Sequence, residues 1–394
     1  MTYTVTLKRG EERRILAGHS WVYANEVSKI EGDGGLGSLA TVQSCNGTFL
    51  GKGYINHLSK ILVRIFIRDP EEQDTEELFT ERLFRANALR RDLGYDSAYR
   101  LCFSESDGLP SLIADKYGDV IVISILSLGF RKKRDMIVRA LVKLFSPAAI
   151  YERSDSPVLK KEGMEPYSGL LYGALPEKTV IEENGLKLYV DVVNGQKTGY
   201  FLDQKENRMA LRRYSVGKRV LDCFCNVGGF TLNAATVAKS VKAVDISERA
   251  LEELKANAEL NSLNNVTAEC ADVFEYLRDA RKRNETYQTI ILDPPAFCKS
   301  ASEVAGAVRG YRDINAAAIK IIEDGGYLVT ASCSHYMSAE LFEKTLKEAG
   351  ENAGRRLRIL EKRMQASDHP ALLGAPETEY LKLFVCTVSD KRSL

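Results

Sequence analysis

The sequence predicts an α/β protein: a doubly wound parallel sheet in the C-terminal half, preceded by a small β-barrel domain and an α+β connector. Three observations carry that prediction. From about residue 185, apolar strand runs alternate strictly with helical patterns, as repeated βα units require. Residues 1–70 are instead glycine-rich, with short alternating runs. At 394 residues the chain exceeds one ordinary core. The predicted divisions are 1–72, 73–182 and 183–394.

In the first segment, residues 40–43, 48–54 and 61–68 read as strands separated by turn signals such as Gly32-Asp33-Gly34-Gly35. Pro70, followed by Glu71, Glu72 and Asp74, marks a linker. A helix follows over about 75–93, with Leu78, Phe79, Leu83, Ala86, Leu89 and Leu93 at helical spacing. Strands over 120–126 and 149–152 flank a helix over 131–145, and no catalytic constellation shows in this connector. In the third segment, strands are expected at 219–222, 241–245, 266–269, 288–292 and 326–331, with final strands at 357–360 and 380–386. Helices are expected from near Phe230, from Ser247 to about Asn261, and over 338–349.

Composition excludes several classes of protein. The hydrophobic fraction of 44% and charged fraction of 28% are those of a soluble globular chain. No apolar run approaches the length of a membrane span, and the N-terminus alternates like a strand and not like a signal peptide, so a cytoplasmic protein is expected. The eight cysteines form no C-x-x-C and the four histidines are scattered, which predicts no metal site. A net charge of +1 gives no global attraction to nucleic acid. Two basic clusters (Lys8, Arg9, Arg13 and Arg14; Arg355, Arg356, Arg358, Lys362 and Arg363) read as either solvated faces or local phosphate contacts.

The chemistry concentrates at strand ends, where ligands gather in open α/β sheets. The first strand runs into Asp222-Cys223-Phe224-Cys225-Asn226-Val227-Gly228-Gly229-Phe230. Its paired glycines allow close backbone approach at a helix N-terminus, but the spacing is not the dinucleotide fingerprint G-x-G-x-x-G. The second strand ends in Asp245-Ile246-Ser247, where the acid can bind ribose hydroxyls or merely help to cap the next helix. Asp272, with Val273 after the third strand, is placed to accept from an adenine amino group. A ribose-binding acid without a pyrophosphate fingerprint favours S-adenosylmethionine over a dinucleotide. The next strand ends in Asp293-Pro294-Pro295-Ala296-Phe297, and the one after it in Ala331-Ser332-Cys333-Ser334-His335. A thiol and a carboxylate on adjacent rim positions point to covalent chemistry on a polar substrate. The plain alternative for Cys333 is a small residue packed at a strand end.

Several blocks together resemble one family. Leu16-Ala17-Gly18-His19-Ser20-Trp21-Val22-Tyr23 is similar to the opening of a PUA domain. Residues 195–204, the Asp293 and Cys333 blocks, and Glu377-Thr378-Glu379-Tyr380-Leu381-Lys382 follow in the expected order. The chain resembles the bacterial large-subunit (23S) ribosomal RNA cytosine-5 methyltransferases, which carry an N-terminal PUA domain on a Rossmann-like class I S-adenosylmethionine-dependent catalytic domain. The resemblance implies Cys333 as nucleophile at cytosine C6, with Asp293 on the pyrimidine edge. It implies a cofactor site walled by Tyr200, Phe201, Asp203 and Gln204 and built on Asp222, Phe224, Gly228, Phe230, Asp245, Ile246, Ser247, Asp272, Val273 and Asp293. Pro294, Pro295, Phe297, Lys299 and His335 are expected to meet the RNA substrate. A homodimer is also implied. Family members that carry a second thiol place it directly after the paired proline, where this chain has Ala296, so the base for the last proton is unnamed. Two alternatives stay open: an exocyclic-amine methyltransferase acting on adenine N6 or guanine N2 through the same Asp-Pro-Pro-aromatic loop, and a non-catalytic RNA-binding assembly factor.

Overall fold

The alternation in the C-terminal half is realised as one seven-stranded sheet. The computed structural model describes residues 2–298 and 300–390. It divides into two compact units, the first comprising Met1–Ile181, Val190–Asp203 and Ser367–Thr378, the second Glu182–Tyr189, Gln204–Ala366 and Glu379–Leu394.

In the second unit the strands are β1 (Arg219–Cys223), β2 (Ser240–Asp245), β3 (Val266–Cys270), β4 (Tyr287–Leu292), β5 (Ile322–Ser332), β6 (Arg355–Arg363) and β7 (Lys382–Asp390), in the spatial order β3-β2-β1-β4-β5-β7-β6. The helices between them are α1 (Gly229–Ala235), α2 (Glu248–Leu260), α3 (Val273–Lys282), α4 (Val304–Ile319) and α5 (Ala339–Ala353). Strands β1 to β5 run parallel. The doubly wound parallel sheet is present, and β7 adds an antiparallel strand that pairs with both of its neighbours. No α-helix separates β6 from β7, and a reversal without a crossover helix yields antiparallel pairing.

Alternate residues of the central strands feed two cores, as the pleat requires. Leu221, Ile290, Leu292 and Leu328 pack against Tyr311 and Ile314 of α4 on one face. Val220, Ile291 and Val329 meet Phe230 and Ala234 of α1 on the other. Ser247 caps α2 by accepting from Ala250 N at 3.3 Å, and Ser338 caps α5 by accepting from Leu341 N at 3.2 Å. Glu183 and Arg208 form a fully buried bidentate pair at 2.6 and 2.7 Å. Removing one partner strands a buried charge, so Glu183→Ala should cost about 3–5 kcal/mol in urea unfolding.

The first unit holds two sheets. Six strands order as Trp21–Tyr23, Ile61–Ile67, Phe49–Ile55, Leu39–Gln43, Tyr3–Leu7 and Val27–Glu31. Five more order as Tyr167–Gly173, Ala149–Ser154, Val120–Ile125, Leu112–Tyr117 and Ala98–Phe103, backed by helices Glu76–Asp92 and Arg134–Phe145. Its core carries a buried Arg100–Asp115 pair at 2.6 Å, and Thr198 also donates to Asp115. Among the described residues no helix is long and apolar enough to cross a membrane.

Candidate active site

The sheet order of the second unit reverses between β1 and β4. Their carboxyl ends therefore open a crevice, the place where ligands bind in such sheets. Register pairs Cys223 with Leu292 and Leu292 with Thr330, so the ends of β1, β4 and β5 lie side by side.

At the end of β1, Asp222 is 1% exposed. Its Oδ2 accepts from the Thr231 hydroxyl at 2.6 Å, while the buried Oδ1 has no hydrogen-bond partner among the described residues. Burial pushes this carboxyl up to about 7, against the Thr231 hydrogen bond and with help from the nearby Asp293 and Asp245 charges. The following loop holds Phe224, Asn226 and Gly228 at φ values of 63°, 49° and 93°. Asparagine tolerates the left-handed region, but a bulky Phe224 there is backbone strain of the kind that clusters at functional sites. A side chain at Gly228 would lie 2.8 Å from Leu254, so only glycine lets the loop approach α2 this closely.

Asp245, at the end of β2, accepts from Asn226 N and Ser247 N, both at 2.9 Å. It thus shapes the β1 loop, while capping falls to Ser247. Beside it Ile246 is 71% exposed, a large apolar side chain left uncovered. Asp272 is exposed and caps α3, accepting from Glu275 N at 3.0 Å, a task the sequence reading did not assign to it. Val273 and Phe230 are core residues.

At the end of β4, Asp293 Oδ1 accepts from Gln204 Nε2 at 3.1 Å. Gln204 is itself held by Asn207 at 2.7 Å, and Asn207 by Arg363 at 2.9 Å. Pro294 is buried and Pro295 exposed. The Phe297 ring packs on Tyr311 with centroids 4.6 Å apart, close over Gly310. Lys299 lies outside the described residues.

Beyond β5, Cys333 is half-buried. Ser332 and Ser334 on either side of it both hydrogen-bond the Tyr311 hydroxyl at 3.0 Å, and Cys298 N donates to Ser334 Oγ at 3.3 Å. Lys382, 7% exposed, donates through Nζ to Ser334 O at 2.7 Å and to Tyr380 O at 2.8 Å. His335 is exposed, with its ring edge-on to Tyr336. The thiols nearest to it are withdrawn: Cys298 is 3% exposed, and burial pushes Cys223 and Cys225 up, while Cys270, at the far end of the rim on β3, is exposed.

Tyr200, Phe201 and Asp203 belong to the first unit. There Tyr200 N donates to the Tyr117 hydroxyl at 3.2 Å, and Lys197 pairs with Asp203 at 3.1 Å while lying over the Phe201 ring. Tyr311 and Lys382 escaped the sequence reading as site residues. Each joins the Cys333 loop from a remote element, and no local pattern signals that. The second basic cluster is largely engaged: Arg355 pairs with Asp390, Lys362 with Glu343 and Arg363 with Glu361.

The donor set suits a zwitterionic nucleoside. A buried carboxylate oxygen without a partner calls for a cation, which a methionine ammonium can supply. An uncovered isoleucine beside an acid suits an adenine next to its ribose. The S-adenosylmethionine-dependent methyltransferase family matches residues 101–372. The chain belongs to this family. Its cofactor is S-adenosylmethionine, and residues 5–68 match the PUA-like domain family. Ribosomal RNA large subunit methyltransferase I of Escherichia coli O139:H28 is 42% identical to this methyltransferase over 396 residues, covering 98% of this chain and 100% of that one. Two solved structures share the fold: an S-adenosylmethionine-dependent methyltransferase from Streptococcus mutans (TM-score 0.83, 24% identical, 98% and 99% of the two chains covered) and a methyltransferase complexed with SAH (TM-score 0.84, 24% identical, 98% and 100% covered).

Proposed function

We propose that this methyltransferase forms 5-methylcytidine in large-subunit ribosomal RNA, with Cys333 as nucleophile. The single observation that carries the reading is the half-buried Cys333 thiol on the rim beside the strand end that bears Asp293. The relatives' names support the RNA, and the PUA-like segment supports an RNA-binding role for the N-terminal domain (residues 1–72 in a division with 73–182 and 183–394). A cytoplasmic location, from the composition, and a homodimer, from the family resemblance, complete the proposal.

Cytosine C5 is a poor nucleophile. Addition of the Cys333 thiolate to C6 pushes electron density to C5 and splits one hard step into two. Asp293, its rotamer fixed by Gln204, shares a proton with N3, so the negative charge that thiolate addition develops there is neutralised. When bound, S-adenosylmethionine would supply an electrophilic methyl group and leave as its demethylated thioether, with Asp222 holding its ammonium and Asp245 its ribose. Once C5 carries both methyl and hydrogen, loss of the proton from C5 and cleavage of the C6–S bond restore the ring and the thiolate. The base must leave its stack to reach Cys333. Pro294 and Pro295 stiffen the loop that receives it, and the exposed His335 is placed to meet phosphate.

Mass analysis of nucleosides from ribosomal RNA treated with the protein and S-adenosylmethionine tests this. The expected product is 5-methylcytidine. N6-methyladenosine or N2-methylguanosine would establish the exocyclic-amine reading, and no methylated nucleoside would leave an assembly factor.

A further inference from the structure

A cysteine thiol ordinarily titrates at about 8.5 and rises with burial, so a half-buried nucleophile working near neutral pH needs a cation close by. The antiparallel register of β5 and β7 sets Ser332 opposite Lys382, one residue from Cys333. Lys382 then reaches across the rim, and its ammonium is anchored on the carbonyl of Ser334, the residue that follows Cys333, and on that of Tyr380. Two of its three N–H groups are thereby committed, so the head group cannot swing out to solvent without breaking both bonds. A lysine this buried is rare unless something holds it.

The charged and titratable groups facing this spot come from three directions. Lys382 and Glu379 approach from the closing strand and the turn before it, Tyr311 from α4, and His335 follows in the chain, exposed. Lys382 is the buried cation of the set. Burial lowers it to about 8, with Cys333 and Glu379 working in the opposite direction, so it remains charged at neutral pH.

We propose that Lys382 is a positioning residue whose ammonium holds the Cys333 thiol ionised. The proton leaves to solvent and the thiolate–ammonium pair remains, ready to attack. The catalytic use of that thiolate rests on the cytosine-5 reading; the ionisation itself does not.

The test follows Cys333 alkylation by iodoacetamide against pH, resolved by peptide mass analysis, in the full-length wild type, Lys382→Met and Lys382→Arg. An opposite charge close to an ionisable group lowers its pKa by about 1–3 units. The Cys333 alkylation rate at pH 7 should therefore fall at least about tenfold in Lys382→Met, with the midpoint moving up, and recover in Lys382→Arg. The buried Cys102, Cys223 and Cys386 in the same digests should stay unalkylated in all three proteins, which separates loss of the cation from unfolding. Superimposable Cys333 profiles in wild type and Lys382→Met would overturn the proposal. So would a wild-type midpoint at or above that of a free thiol, a reading that needs no variant. A Lys382-dependent profile in a protein that makes no 5-methylcytidine would leave this pairing standing and remove only the assigned reaction.

Discussion

Cys333→Ala is expected to lower the rate of RNA methylation by at least about a thousandfold, because the variant has no atom with which to activate C5. Cofactor affinity should stay within about twofold, since Asp222 and Asp245 sit on β1 and β2 and the substitution removes one sulfur at the end of β5. Cys298 should not rescue the reaction: its buried Sγ is turned onto Ser300 O at 3.0 Å. Methyl incorporation into RNA and calorimetric binding of S-adenosylmethionine, measured on the same preparation, check both halves. Undiminished turnover would return Cys333 to a packing role.

Asp222→Asn should have the second-largest effect, about a hundredfold or more in S-adenosylmethionine affinity, because it removes one member of a buried charge pair. The pH dependence has a definite sign. In the ligand-free fold Asp222 titrates at about 7, above its ordinary 3.8. The folded state thus binds more protons than the unfolded chain between those values. Its contribution to stability is fully present below about 3.8 and is lost as pH rises through 7. The ligand-free Asn variant should escape that loss and gain stability over wild type from pH 4 towards pH 8, on the order of a few kcal/mol. The wild type needs the carboxylate to hold the ammonium, so its cofactor affinity should fall by up to about tenfold per unit below pH 7. Calorimetry at pH 5.5 and 8 reads the second effect and urea titration of the ligand-free proteins the first. A pH-independent affinity would mean that Asp222 does not meet the ammonium.

Much of this site is legible in the sequence because each motif is local. A strand run followed by Asp222, by Asp245-Ile246-Ser247 or by Asp293-Pro294-Pro295 declares its own position on the rim, and the structure puts each at a strand end. What stays hidden is contact between distant segments. Helix α4 is absent from the expected helices although its buried Ala307, Tyr311, Ile314, Ala318 and Ile319 fall at helical spacing, because Gly306, Gly310 and the run of alanines leave few large apolar side chains to mark that stripe. Yet Gly310 lets Phe297 sit close, and Tyr311 holds both neighbours of Cys333. Lys382 falls within a block visible in the sequence, but its meaning depends on the antiparallel β5–β7 register, which no local pattern supplies. Asp272 shows the converse: a residue type that suits a ligand is equally suited to capping a helix, and the structure uses it for α3.

The most direct measurement of the covalent step uses RNA carrying 5-fluorocytidine. Fluorine at C5 cannot leave as a proton does, so the adduct should persist after methylation. Denaturing electrophoresis followed by peptide mass analysis should find one methylated nucleotide bound to the peptide that contains Cys333, and none with Cys333→Ala. A wild-type protein that methylates cytidine-containing RNA at C5 yet traps no fluorinated RNA, or traps it on another cysteine, would contradict the role given to Cys333.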